Sequence, residues 1–187
     1  KYAAQNKVYF VPSRFVVDNI LYLCLFSPKG EILGIQGATH RNLYNQAELE
    51  QYHKIEPIST PIGNIFLCVD VDIYHPQVVR VARMKGAQIG ISSQFIDSYQ
   101  LSRHMLTTGI WNAAQSNGVY VVGCCNCFSA VAAPCCLTQD ESGYLVPPAS
   151  SHNLFAKLYL NKLQRSDFGG NLPQKLDLRI YGKGGIC

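Results

Sequence analysis

Residues 64–93, NIFLCVDVDIYHPQVVRVARMKGAQIGISS, constrain the fold more than any other part of the chain. NIFLCVDVD is a nearly continuous apolar run, the pattern of a strand covered on both faces. Pro76 then stands where a helix begins, because its fixed φ suits the first turn and its missing N–H has no partner to lose there. In QVVRVARMKGA, Val78, Val79, Val81, Ala82 and Met84 mark an inner face, leaving Arg80, Arg83 and Lys85 outside, and Gly86 ends the helix. AQIGISS reads as the next strand. A strand, a crossover helix and another buried strand close as a parallel βαβ unit, which places the chain in the α/β class.

The flanking sequence extends that unit. SYQLSRHMLTTGIWNAAQSNG predicts a second crossover helix stopped at Asn117-Gly118, and VYVVGCC a third strand. Upstream, KVYFVPSRFV and ILYLCLFS read as strands joined at Asp18-Asn19, and PKG turns the second into EILGIQG, so the chain opens as a meander. NQAELEQYH is a short, helix-like polar piece, and TPIG is the turn into the central strand. Downstream, APCCLTQ, YLVPPA and LFAKLYLNKL are expected to complete the strands. Two crossover helices among so many strands make an α/β sandwich, with no internal repeat.

A length of 187 residues suits a single domain with a sizeable core, and 48% hydrophobic against 15% charged residues marks a globular chain. The net charge of +4 is scattered, with no basic run interleaved with aromatics, which argues against a nucleic-acid groove. From Met105 to Gln139 there is no charged residue, and VYVVGCCNCFSAVAAPCCL is long enough to span a bilayer. Its Gly123, Asn126, Ser129 and Pro134 suit strand, loop and strand better, so no membrane span is expected. KYAAQNK resembles the end of a helix and lacks the apolar core of a signal peptide. The eight cysteines lie largely among Val, Ala, Leu and Phe and read as reduced, buried thiols, which points to the cytoplasm. The C-x-x-C formed by Cys124 and Cys127 has no second spaced pair, so no metal is expected, and no cofactor motif is present.

The ordered run PKGEILG, THRNLY, TPIGNIFLCVDVDIYHPQVVRVARMKGAQIGISS, NAAQSNGVYVVG and DESGYLVP resembles the nitrilase superfamily of carbon-nitrogen hydrolases across nearly the whole chain. The resemblance implies a four-layer αββα sandwich over residues 1–187, with the N-terminal strand–helix unit missing. It also implies a Glu–Lys–Cys site, in which a thiolate attacks a nitrile or amide carbon, a glutamate is general base and a lysine stabilises the oxyanion. The lysine lies in a stretch similar to R-K-T-H-L, which G-A-T-H-R-N-L matches with Ala38 at the lysine position. The nucleophile lies in a pattern like C-x-D-x-x-F-P-E; counting back from Pro76 reaches Asp70, with Asp72, His75 and Gln77 at the flanking positions. The strand–helix unit that carries the glutamate is expected before Lys1.

Cys68 is the fallback nucleophile. Period-two alternation puts it on the same side as Asp70, one pleat deeper, about 6.6 Å from the strand end. Asp70 itself is a poor nucleophile toward amides, and its expected role is a carboxylate beside a helix N-terminus. His40, Glu48, Asp72, Ser92 and Ser93 are the candidate pocket residues, with Glu50 an alternative to Glu48 and a structural hydrogen bond expected at His40. His75 and His104 have no partner at metal-ligand spacing. A pocket without the lysine is expected to suit anions less. The reading that follows is a catalytically inactive subunit with a structural, ligand-binding or partner-regulating role; the rival is an active amidase or nitrilase working through a cysteine thiolate. The resemblance implies a dimer, homomeric or with a nitrilase-like subunit, packed through the two crossover helices, where Met84, Met105, Leu106, Ile110 and Trp111 are available apolar residues.

Overall fold

The structure, a computed structural model, describes residues 1–41, 48–95, 103–150 and 153–165. A short helix α1 (Tyr2–Asn6) leads into an extended segment and a three-stranded meander of β1 (Phe15–Val17), β2 (Ile20–Phe26) and β3 (Ile32–Gly37). Asp18 and Asn19 both take left-handed backbone, φ 48° and 59°, as a two-residue hairpin turn between right-twisted strands requires. The first expected strand is shorter than its text: before Phe15 only Phe10 makes a ladder contact, an isolated bridge to Phe26. Residues 42–47 of the helix-like polar piece lie outside the described residues, and 48–53 form a turn and irregular chain.

The second sheet has six strands in chain order: β4 (Ile58–Thr60), β5 (Gly63–Val69), β6 (Ile89–Gln94), β7 (Tyr120–Cys125), β8 (Ser129–Ala132) and β9 (Tyr144–Ala149). β5, β6 and β7 are parallel and the rest pair antiparallel. The first crossover is helix α2 (Pro76–Met84), reached through a 3-10 segment, Asp70–Tyr74. The second runs through α3 (Arg103–Leu106), a π-helical turn at Thr107–Trp111 and α4 (Asn112–Asn117); residues 96–102 lie outside the described residues. A uniform helix was the expectation here. At Gly109 a Cβ would come within 2.7 Å of the Tyr74 ring, so the turn rests its bare glycine on the 3-10 segment.

Downstream two further expectations change. APCCLTQ is not a strand: β8 ends at Ala132, and Cys135–Leu137 is a 3-10 turn after Pro134, whose ring has no N–H for a ladder. LFAKLYLNKL is irregular until helix α5 (Leu160–Arg165), which buries Leu163 against Tyr120 and Ala133.

Two cores meet on β5. Its odd residues Ile65, Leu67 and Val69 join Leu21, Leu23 and Leu25 between the sheets, while Phe66 and Cys68 join Val78, Val79 and Ala82 of α2 with Ile110, Ala113 and Ala114 under the helices. Each such aliphatic side chain contributes on the order of 1.5–3 kcal/mol on burial. Arg83, expected on the outer face of α2, is buried and donates to the Ala87 carbonyl at 3.2 Å, closing the helix end. Strands β1 and β3 leave Phe15, Val16, Val17, Ile32, Leu33 and Ile35 exposed. No helix among the described residues is long and apolar enough to cross a membrane.

Candidate functional site

The parallel strands β5, β6 and β7 end on one side of the sheet, and a cleft lies at the ends of β6 and β7, the kind of place where open α/β sheets hold ligands. Asp70 is the first residue past β5. It is 1% exposed and takes left-handed backbone, φ 49°, a conformation that costs a non-glycine residue on the order of 1 kcal/mol. The backbone reversal breaks the pleat. Its carboxylate accepts the Phe95 N–H at 2.8 Å and forms an ion pair with the Arg14 guanidinium at 2.5 Å. Its backbone donor thus stands at the end of β6, where the sequence suggested the start of α2.

Cys68 does not share that position. It is 0% exposed in the core under the helices, and burial, with Asp72 nearby, pushes its thiol well above the ordinary value. Alternation puts Cys68 and Asp70 on one side; in the structure Cys68 lies within β5, while Asp70 is a left-handed residue just past the strand end. Ala38 is 4% exposed and packs with Leu21, Leu67 and Val69 between the sheets.

Asp72 is buried and fully engaged. It accepts the Thr39 N–H at 2.9 Å, the Thr39 hydroxyl at 2.7 Å and the His40 N–H at 2.8 Å, with His40 Nδ1 3.0 Å away. Burial raises its carboxyl above the usual range, against the pull of these hydrogen bonds. His40 stacks on His75 with ring centroids 3.5 Å apart and planes 7° from parallel. Burial and the neighbouring His40 ring together lower His75. The group clamps the residues after β3 onto the 3-10 segment.

Beside Arg14 lies a cavity of about 350 Å³, lined by Val11–Arg14, Ile91–Phe95 and Cys124–Asn126. Of the pocket candidates, Ser92 and Ser93 border it; His40 and Asp72 form the neighbouring clamp, and Glu48 is exposed on a turn. Ser92 is fully buried, accepting from Gln94 at 3.1 Å, and Gln94 in turn accepts from the Tyr74 hydroxyl at 2.5 Å. Burial is the main reason the Tyr74 phenol is held far above its ordinary value. Glu50 is exposed and its N–H bonds the Asn19 carbonyl at 2.7 Å. The cysteines are less uniformly buried than expected: Cys24 and Cys68 are interior, but Cys124 and Cys136 are exposed. No group of three or more His, Cys, Asp or Glu able to hold a metal ion occurs among the described residues.

No family model matches the sequence, and no curated protein matches it. Solved structures do. A mutant amidase of the nitrilase superfamily from Nesterenkonia AN1, with serine in place of a cysteine, matches at TM-score 0.68 and 17% identity, over 88% of this chain and 67% of that one. The fold is that of the nitrilase superfamily. The carbon-nitrogen hydrolase from Helicobacter pylori G27 matches at TM-score 0.64 and 19% identity, over 79% of this chain and 60% of that one. A cysteine-to-alanine mutant of the Nesterenkonia sp. AN1 amidase in complex with butyramide matches at TM-score 0.66 and 17% identity, over 79% and 61%. The chain thus spans about 60% of the length of these first two-named hydrolase forms with 79% coverage.

On the nitrilase-type frame, the residue that sequence reading missed is Arg14. Ser13-Arg14 precedes the short strand β1 and has no spacing relation to the HPQ turn, so nothing local marks it. Only the packing of the 11–14 segment over the ends of β6 and β7 brings it to Asp70.

Proposed function

We propose that this chain is a nitrilase-like subunit that does not hydrolyse carbon-nitrogen bonds by itself and serves as a ligand-binding or partner-regulating component. The observation that carries the reading is the ion pair at the strand end: Arg14 and the Phe95 N–H hold the carboxylate of Asp70, the residue that the sequence resemblance aligns with the nucleophile. A carboxylate attacking an amide would form an anhydride more reactive than the substrate and expel an amine with no acid to protonate it. Ala38, in its apolar surroundings, offers no donor for an oxyanion. The rival reading, an amidase or nitrilase using Cys68, needs a thiolate open to substrate; a fully buried thiol with a raised pKa is poorly suited to supply one.

The test is ammonia release from nitriles, primary amides and ureido compounds. We expect none above background, and Asp70→Cys alone is expected to restore none, since residues that act as a unit lose most of their rate together. Turnover that Cys68→Ala abolishes would overturn the reading in favour of the enzyme.

Assembly belongs to the same proposal: a homodimer, or a heteromer with a nitrilase-like subunit. Exposed apolar side chains on β1 and β3 support a partner more strongly than the crossover helices do, because Ile110 is 0% exposed in the chain's own core and Trp111 Nε1 donates to the Ser142 carbonyl at 2.8 Å. Seven described cysteines that are all free thiols support a reducing, cytoplasmic setting.

A further inference from the structure

We propose that the cavity beside Arg14 binds a small monocarboxylate, its carboxylate seated on the edge of the Arg14 guanidinium that Asp70 leaves open and its short apolar tail against Ile91, Phe95 and Val11. This deepens the non-hydrolytic reading and rests on it. Arg14 is the one charged side chain among the described residues that line the cavity, and no Asp or Glu lines it. A guanidinium carries five N–H donors in a planar fork, and the bond to Asp70 Oδ1 uses Nη1. The fork is held before any ligand arrives: Asp70 anchors it from a buried position, and the Phe95 ring lies 5.1 Å below the guanidinium carbon. Fixing a guanidinium in advance reduces the side-chain entropy lost on binding. Asp70 shares its charge with the Phe95 N–H as well as with Arg14, so an incoming carboxylate meets open donors without having to displace the internal one.

The rest of the lining suits the same ligand. Ser13, Ser93 and Asn126 bring polar groups to the wall, while Val11, Pro12, Ile91 and Phe95 form an apolar side that inorganic anions would not use. A volume of about 350 Å³ is near the lower end of ligand pockets and favours a short-chain acid. Loss of the lysine position to Ala38 therefore does not leave the cleft without a cation, as the sequence had suggested; Arg14 brings one from the opposite strand layer.

Calorimetry on the full chain with butyrate, butyramide and butylamine tests this, because the three share a tail and differ in the head group. Butyrate is expected to bind, butyramide at least about tenfold more weakly, and butylamine not at all, since only the carboxylate gains a charge-assisted bidentate contact. Arg14→Lys keeps a positive partner for Asp70 but loses the fork, and is expected to weaken butyrate at least about tenfold. Asp70→Asn, whose amide oxygen can still accept from Arg14 Nη1 and so keep the fork in place while the competing internal charge is removed, is expected to bind butyrate as tightly or more tightly, and it reports on the site even if Arg14→Lys folds poorly. Equal affinity for butyramide, no butyrate binding up to about 10 mM, or weaker butyrate binding in Asp70→Asn with native circular dichroism would each overturn the proposal. Ammonia release from butyramide in the same samples would instead overturn the non-hydrolytic reading, while the Arg14 dependence of butyrate binding is read separately.

Discussion

Asp70 combines three features that are individually unfavourable: left-handed backbone, burial, and a charge at the end of an apolar strand. Arg14 and the Phe95 N–H offset them together, so removing Arg14 leaves a buried carboxylate without this counter-charge. Arg14→Met is expected to destabilise the chain by roughly 2–3 kcal/mol, at the lower end for a broken buried pair because Arg14 keeps some contact with solvent. The double change Arg14→Met with Asp70→Asn is expected to cost less than the sum of the two singles, and urea denaturation of all four proteins measures that coupling. His75 supplies a pH dependence. Its folded-state pKa is lowered, so the folded chain binds that proton less readily than the unfolded chain; its contribution is intact above about pH 6.5 and lost as pH falls from there toward the folded value. Asp72, raised by burial, acts in the opposite sense: its contribution is present below its ordinary value and lost as pH rises through the folded one. Denaturation midpoints should therefore fall between about pH 7 and about pH 5, and His75→Phe, which keeps a flat ring on His40, should flatten that decline. An unchanged slope in the variant would rule out His75 as its source.

At the scale of elements, the cavity is made by the C-terminal ends of β6 and β7 with the 11–14 segment laid over them, and the exit from β5 brings Asp70 to Arg14 at its edge. β5 runs straight to Val69, and the five residues Asp70–Tyr74 then coil as a 3-10 segment before Pro76 opens α2. The π-helical turn at Thr107–Trp111 holds that segment from the other side, with Gly109 against Tyr74 and Ile73. Gly109→Ala places a Cβ about 2.7 Å from the Tyr74 ring, closer than carbon atoms pack. The expected cost is roughly 1–3 kcal/mol of overpacking, seen as a lowered thermal midpoint with native far-ultraviolet circular dichroism. A neutral effect would mean that the 3-10 segment shifts freely.

For the molecule as a whole, the two faces of the sandwich are treated differently. The six-stranded sheet is covered by α2 and α4, whereas β1 and β3 expose a group of aliphatic and aromatic side chains larger than scattered surface residues would give. Light scattering at micromolar concentration is expected to report a dimer or larger species, and Ile32→Lys with Ile35→Lys to lower that mass. A monomer in the unmodified chain, with cooperative unfolding, would refute the assembly proposal.

What the sequence determined by itself lies along the chain. The apolar runs, Pro76, Gly86 and Asn117-Gly118 marked β5, α2, β6, the second helix end and β7, because strand and helix periods and the backbone preferences of Pro and Gly act over a few residues. Matching motifs in order was enough to place Asp70 at the strand end. Tertiary structure decided the rest. The strand-like text of APCCLTQ and LFAKLYLNKL became turn, irregular chain and helix, since where an apolar segment packs outweighs its own propensity. The left-handed backbone of Asp70 just past β5 is a feature that the alternation of a strand does not encode. The pairing of Asp70 with Arg14 spans 56 residues and two sheets, and so depends on a long-range approach of groups that no local spacing records.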